Sequence, residues 1–156
     1  MKKAPRVRAI RTSNRYCYMA PSTIQGKGLF AREQIPVGST IVEYDGPRLS
    51  RCEGERLASE GNAYVFVIDR RESIDGSVAW NLGRFANHCC EPNAKTVKID
   101  GRIWLRSIKL IERGQEITYD YGYAFKGHEN NPCSCRVPTC RGYIVPEKFR
   151  HRLLVD

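Results

Sequence analysis

Apolar and β-branched residues fall along this chain in short alternating runs, most of them closed by glycine. The run STIVEYDG (39–46) has the β-branched and aromatic content of a strand and ends at Gly46. RCEGERLASEG (51–61) carries the one helical pattern of this region, closed by Gly61. AYVFVID (63–69) returns to strand. KTVKIDGRIWLRSIKLI (95–111) alternates on both sides of Asp100-Gly101. That pair suits a type I′ hairpin turn, in which both central residues need positive φ. RGQEITYDYGY (113–123) reads as a turn followed by a strand. From Arg15 onward the chain is a series of such short runs, with no internal repeat and no low-complexity segment. The pattern predicts a mostly β domain with short helices, preceded by a flexible basic arm over residues 1–14.

The length of 156 residues fits one domain with a core of its own. A hydrophobic fraction of 41% and a charged fraction of 28% place the chain among ordinary globular proteins. No apolar run approaches the roughly 18 residues of a membrane span. The basic N-terminus is not followed by the apolar segment of a secretory signal. The expectation is an intracellular protein without membrane contact, cytoplasmic in a bacterium or nuclear in a eukaryote. Charge adds a further feature. The net charge is +9, and no Asp or Glu precedes Glu33, whereas Lys2, Lys3, Arg6, Arg8, Arg11, Arg15, Lys27 and Arg32 do. Such an arm either contacts nucleic acid or another polyanion, or serves as a solubilising tail.

Seven cysteines, an odd number, are unevenly spread. CSCRVPTC places Cys133, Cys135 and Cys140 in a C-x-C-x4-C spacing. In a reducing compartment such a cluster points to metal more than to disulfides. Zinc takes four tetrahedral ligands and favours thiolates. Three thiols in one turn leave one position to be filled from elsewhere. The candidates are His88, Cys89, Cys90 and His128; the competing readings are a disulfide or cysteines buried as small hydrophobes.

Several segments together resemble the SET-domain family of protein-lysine methyltransferases. IQGKGLFA is similar to the family's N-terminal cofactor segment, VEYDG to its E-Y-x-G strand, and RFANHCCEPN to its R-F-x-N-H-S-C-x-P-N signature. GQEITYDYGY is similar to the G-E-E-L-T-Y-D-Y-G element, and CSCRVPTCRGYI to the post-SET cysteine motif. The resemblance runs from about Ser22 to Ile144. It implies a SET domain over 15–125, a post-SET zinc segment and tail over 126–156, and a fold of small curled sheets. In that fold the Tyr119–Tyr121 segment threads past the Asn87 segment as a pseudoknot. It implies S-adenosylmethionine as methyl donor and a protein lysine as acceptor. Lys27, Gly28, Leu29, Tyr64, Arg84, Asn87 and His88 align with cofactor-binding positions. Tyr44 and Tyr119 align with the lysine channel, and Tyr121 with the catalytic tyrosine. The signature cysteine aligns with Cys90, so Cys90, Cys133, Cys135 and Cys140 form the implied zinc site. Cys89 stands where the family usually has serine.

Methyl transfer to an amine is an in-line displacement, so alignment can supply most of the catalytic gain. The amine must be neutral; at a pKa of about 10.4, deprotonation at pH 7 costs roughly 4.6 kcal/mol. An apolar channel and a nearby positive sulfonium both lower that pKa. No dedicated base is required, and Glu116 is expected to hold the threading strand rather than move protons. By the resemblance, the Tyr119 hydroxyl favours adding one or two methyls over three. Two other functions compete: a catalytically silent SET-like scaffold, and a small zinc protein binding nucleic acid through its arm. No cysteine-rich block precedes Ser22, and the stretch between Gly46 and Tyr64 is short. The chain thus resembles a minimal, free-standing member, with histones, histone-like proteins and ribosomal proteins all eligible as substrates.

Overall fold

The computed structural model describes residues 9–153. The elements run β1 (Cys17–Pro21), β2 (Lys27–Ala31), β3 (Thr40–Tyr44), β4 (Arg48–Ser50), α1 (Arg51–Ser59), β5 (Val65–Val67), β6 (Glu72–Asp75), β7 (Asn87–His88), β8 (Ala94–Ile99), β9 (Arg102–Ser107) and β10 (Glu116–Tyr119). Short 3-10 turns follow at Leu82–Phe85, His128–Asn130 and Glu147–Arg152. The strands form three small sheets, ordered β1-β2-β10-β7, β3-β9-β8 and β4-β6-β5.

The hairpin expected over 95–111 is β8 and β9. Asp100 and Gly101 take φ of +49° and +73°, the doubly left-handed geometry that its turn requires. Its second strand stops at Ser107, because the Ile108 and Lys109 amides turn aside to the Asn93 carbonyl. The helix expected over 51–61 covers Arg51–Ser59. Ser50 and Glu53 close a reciprocal capping box at its start, and Gly61 turns left-handed just beyond its end. The strand expected over 63–69 shortens to Val65–Val67. At one end the Asn62 side chain accepts from the Tyr64 amide; at the other the Asp69 side chain accepts from the Arg71 and Glu72 amides. Side chains of this type compete with the ladder for backbone donors. Of the expected arm, residues 1–8 lie outside the described residues. In its last part the Arg11 amide donates to Ala79 O, and Ser13 bridges Tyr18.

The core lies between the first two sheets. Leu29, Ile35, Leu105, Ile111 and Ile117 are fully buried there with Cys17, Ile41 and Leu82. Each such aliphatic side chain stabilises the fold by about 1.5–3 kcal/mol relative to exposure. Cys17 belongs to this core as a small apolar residue; burial pushes its thiol up to about 12, beyond the reach of ordinary reactivity.

The decisive topological feature is β10. It pairs antiparallel with β2 (Glu116 with Phe30, Ile117 with Leu29) and parallel with β7 (Thr118 with Asn87, Tyr119 with His88). A late strand thus lies between two earlier ones. The loop after β7 holds it in place: Asn93 Nδ2 donates to Glu116 O at 2.8 Å, and the Thr118 amide donates to Asn93 Oδ1 at 2.9 Å. This is the threading the family resemblance implies, and it determines which side chains meet.

Candidate active site and metal centre

Beyond Tyr119 the chain leaves the sheet. The Gly122 amide donates to Asp120 Oδ1, and Gly122 takes φ +64°. That turn gathers Tyr119, Tyr121 and Tyr123, with ring centroids 4.9 Å and 5.4 Å apart along the series. The Tyr121 amide donates to His88 Nδ1 at 3.2 Å, and the Tyr121 hydroxyl donates to the Ala86 carbonyl at 3.1 Å. Tyr44 completes the group from β3. Its hydroxyl donates to Tyr64 O at 2.8 Å, its ring packs 5.2 Å from Phe66, and it lies within electrostatic reach of Tyr121 and Tyr123. Gly76 allows this placement, since a Cβ there would overlap the Tyr44 ring. Burial pushes the hydroxyls of Tyr44, Tyr119 and Tyr121 well above the ordinary tyrosine range, and neighbouring tyrosines add to it. They therefore stay protonated at neutral pH and act as hydrogen-bond donors, not bases.

Beside the tyrosines, Asn87 ties three segments together. Its Nδ2 lies within 3.2 Å of Ser22 Oγ, Gln25 O, Lys27 O and Glu116 Oε1. Ser22 Oγ in turn donates to the Glu116 carboxylate. The Lys27–Leu29 backbone is thereby held against the threading strand. At Gly28 the space a Cβ would need is filled by Glu116 and Ser22, so the close approach that demands glycine is internal. The Leu29 side chain is core, and its backbone lies in the sheet between Met19 of β1 and Ile117 of β10. Tyr64 is 40% exposed and lies beneath the Arg84 guanidinium. Arg84 Nε is buried with no hydrogen-bond partner among the described residues, a donor left for a ligand acceptor.

His88 links this region to the cysteines. Its Nδ1 accepts from Tyr121, and its Nε2 lies 3.5 Å from Cys90 Sγ. Burial holds its pKa down to about 4, against the opposing pull of Asp120.

Cys90, Cys133, Cys135 and Cys140 bring their sulfurs within 4.8 Å of one another, with Cys90 and Cys133 at 3.9 Å. Zinc–sulfur bonds of about 2.3 Å in a tetrahedron place sulfurs roughly 3.8 Å apart, so the four thiols fit that ion. Arg136 takes φ +58°, turning the chain immediately after Cys135. Burial alone would raise Cys135, but the Cys90 and Val137 amides and the neighbouring thiols hold it down to about 7. Burial instead pushes Cys133 up to about 12 and Cys90 higher still, with the neighbouring cysteines adding to both shifts. Four close thiols resist joint ionisation, and a dication at their centre would reverse that. Of the other candidates for the fourth position, Cys89 accepts from the Glu91 amide. His128 is stacked on Phe125, with its Nδ1 3.0 Å from that residue's carbonyl.

The structure thus brings the predicted residues together in two adjoining groups, and it adds others that the sequence did not single out. The alternation Tyr119-Tyr121-Tyr123 was a signal for Tyr123. No local signal marked Ser22 or Arg150. Arg150 reaches from the last 3-10 turn to donate to Cys90 O at 2.6 Å and lies 3.6 Å from Asp120.

Comparison with known proteins bears on the family. The model of the SET domain matches residues 26–122. The chain is 38% identical over 135 residues to histone-lysine N-methyltransferase set-2 of Caenorhabditis elegans, covering 80% of this chain and 9% of that protein. It is 33% identical over 149 residues to the H3 lysine-4-specific histone-lysine N-methyltransferase of Schizosaccharomyces pombe, covering 89% of this chain and 16% of that one. It is 36% identical over 132 residues to histone-lysine N-methyltransferase trithorax of Drosophila melanogaster, covering 79% and 4%. The chain therefore spans only a small part of the length of these relatives.

Proposed function

This chain belongs to the SET-domain family, and on that premise we propose that it transfers a methyl group from S-adenosylmethionine to the side-chain amine of a lysine in a histone or another basic protein. The observation that carries this reading is the adjacency of the buried tyrosine group to the Asn87-His88 pair, joined by the hydrogen bond from the Tyr121 amide to His88. Relatives named as histone-lysine methyltransferases support the substrate class.

In this reading Asn87, His88, the backbone of Lys27 to Leu29, Tyr64 and the free Arg84 donor hold the cofactor. When bound, the cofactor supplies an electrophilic methyl on a positive sulfur. The chain's own part is orientation and exclusion of water. Tyr44 and Tyr119 wall the lysine channel, and their aromatic faces favour an alkylated ammonium. The Tyr121 hydroxyl donates its one proton to the Ala86 carbonyl, which leaves its oxygen lone pairs to accept an N–H of the amine and so aim the nitrogen lone pair at the methyl. The Tyr119 hydroxyl occupies the room that a third methyl would need, which favours mono- and dimethyl products. Glu116 already accepts from Ser22 and Asn87, so its role is to fix the threading strand. Cys90, Cys133, Cys135 and Cys140 hold one structural zinc, which fastens the C-terminal segment to the signature loop. The enzyme works inside the cell on proteins that accompany nucleic acid, where a positive arm meets a polyanion. The deciding experiment incubates purified protein with labelled S-adenosylmethionine and a panel of histones and other basic proteins. Label on a lysine supports the reading; no transfer to any of them, with the protein folded and zinc-loaded, overturns it.

A further inference from the structure

At the edge of the first sheet remote from the tyrosines lies an open cleft of about 480 Å³, lined by Thr12, Ser13, Tyr18, Arg32, Arg113 and Gly114 among others. Both arginines are exposed, and neither joins an ion pair among the described residues. Arg32 donates through Nη1 to the Asn14 carbonyl at 3.2 Å, which orients its guanidinium and leaves its other donors free. Two carboxylates neighbour them in sequence, Glu33 and Glu112; Glu112 is engaged by Gln34 Nε2 at 2.9 Å. Three hydroxyls and two guanidiniums on one cleft form a donor set suited to phosphate oxygens.

We propose that this cleft grips the phosphate backbone of double-stranded DNA. The charge distribution supports a polyanion: Lys2, Lys3, Arg6, Arg8 and Arg11 all precede Thr12 in the sequence, with no acidic residue among them. The lining favours duplex over single strand. Among the described residues Tyr18 is the one aromatic ring lining the cleft, and it packs on Phe30 with centroids 6.0 Å apart. Unpaired bases are held by free aromatic faces, whereas a duplex is held through its phosphates. Location supports simultaneous use of both sites. Arg113 and Gly114 precede β10, whereas Tyr119 ends it and Tyr121 and Tyr123 follow, so a strand of about 13 Å lies between the cleft and the tyrosine group. DNA held at this edge leaves the tyrosine end open to a protein segment.

The test uses the full chain and needs no cofactor, so its failure is distinct from failure of the methyl-transfer reading. Anisotropy of a labelled 30-base-pair duplex is titrated between 50 and 200 mM KCl, beside a single strand of the same sequence and a duplex RNA. Wild type is expected to bind the DNA duplex best, with log affinity falling steeply against log salt. The Arg32→Ala/Arg113→Ala double variant should bind about tenfold more weakly at 100 mM and lose roughly 2 from the salt slope, while still methylating a free peptide. Arg113→Gln, which disturbs no side-chain hydrogen bond among the described residues, should lose roughly 1 and decides the matter if the double variant misfolds. The proposal is overturned by absence of duplex binding at 50 mM, by variants whose slope equals wild type, or by tighter binding to RNA or to the single strand.

Discussion

Asn87 donates through Nδ2 to Glu116 Oε1 at 2.8 Å, joining the signature loop to the strand that threads beside it. The same amide reaches the carbonyls of Gln25 and Lys27, and the same carboxylate accepts from Ser22. One buried amide and one carboxylate therefore fix the relative positions of the loop before β2, of β7 and of β10.

Removal of either partner should leave buried groups unpaired. Asn87→Ala and Glu116→Ala are each expected to lower unfolding free energy by about 2–3 kcal/mol in denaturant titrations. Glu116→Gln keeps the shape and one acceptor, so it should cost less. Its pH–rate profile should keep the wild-type form, since Glu116 is structural; loss of a titrating limb in that variant would mark it as a base instead.

The tyrosines separate alignment from folding. Tyr121→Phe removes only the hydroxyl that meets the Ala86 carbonyl. Methyl transfer should fall by roughly 100-fold with little change in thermal midpoint. Tyr119→Phe opens space beside the amine and should shift mass-spectrometric product from mono- and dimethyl to trimethyl-lysine. Mainly trimethylated product from the wild type would contradict the role given to that hydroxyl.

The pH dependence follows from the direction of the tyrosine shifts. Burial raises Tyr44, Tyr119 and Tyr121 above the ordinary value of about 10, so their neutral forms are favoured in the fold. Their contribution to stability is complete below about pH 10 and is lost only as pH rises through the higher folded values. Activity should climb from pH 7 as the substrate amine deprotonates, with no falling limb from tyrosine ionisation below pH 10. A decline near pH 9 that disappears in Tyr121→Phe would refute this.

One zinc per chain is expected by elemental analysis of the purified protein. Cys90→Ser should weaken zinc by more than the 10–100-fold that loss of an outer-shell partner costs, as measured by competition with a chelating dye. Chelation should release the cysteine loop from the signature loop and expose 133–145 to protease. Cys89→Ser should keep full zinc content; if it lost the metal instead, the ligand assignment would have to move by one residue.

Local chemistry was legible along the chain wherever neighbours in sequence decide it. Asp100-Gly101 set the hairpin turn, Gly61 closed the helix, and C-x-C-x4-C marked three thiols for one ion, because each depends on a few consecutive φ angles or donor spacings. Motif resemblance carried the reading further, to Asn87, His88 and Tyr121. It did not reveal that Gly28 is glycine because Glu116 fills the space beside it, or that Ser22 and Arg150 join the site. The strands β1, β4, β6 and β7 were not marked individually either, being two to five residues long and too short for a period to stand out.

The amino-acid sequence by itself determined the β-rich character, the turns, the positive balance and the chemical identity of the candidate ligands and tyrosines. The threading of β10 past β7 and the meeting of Cys90 with thiols more than forty residues later were foreseen only through the family resemblance; tertiary structure alone decided that Asn87, Ser22 and Glu116 share one hydrogen-bond cluster, that Arg150 reaches Cys90, and that Arg32 and Arg113 share a cleft. The physical reason is that these relationships join distant segments. Their free energy comes from buried amides, packed rings and clustered sulfurs that exist only once the chain has closed, and no local periodicity encodes them.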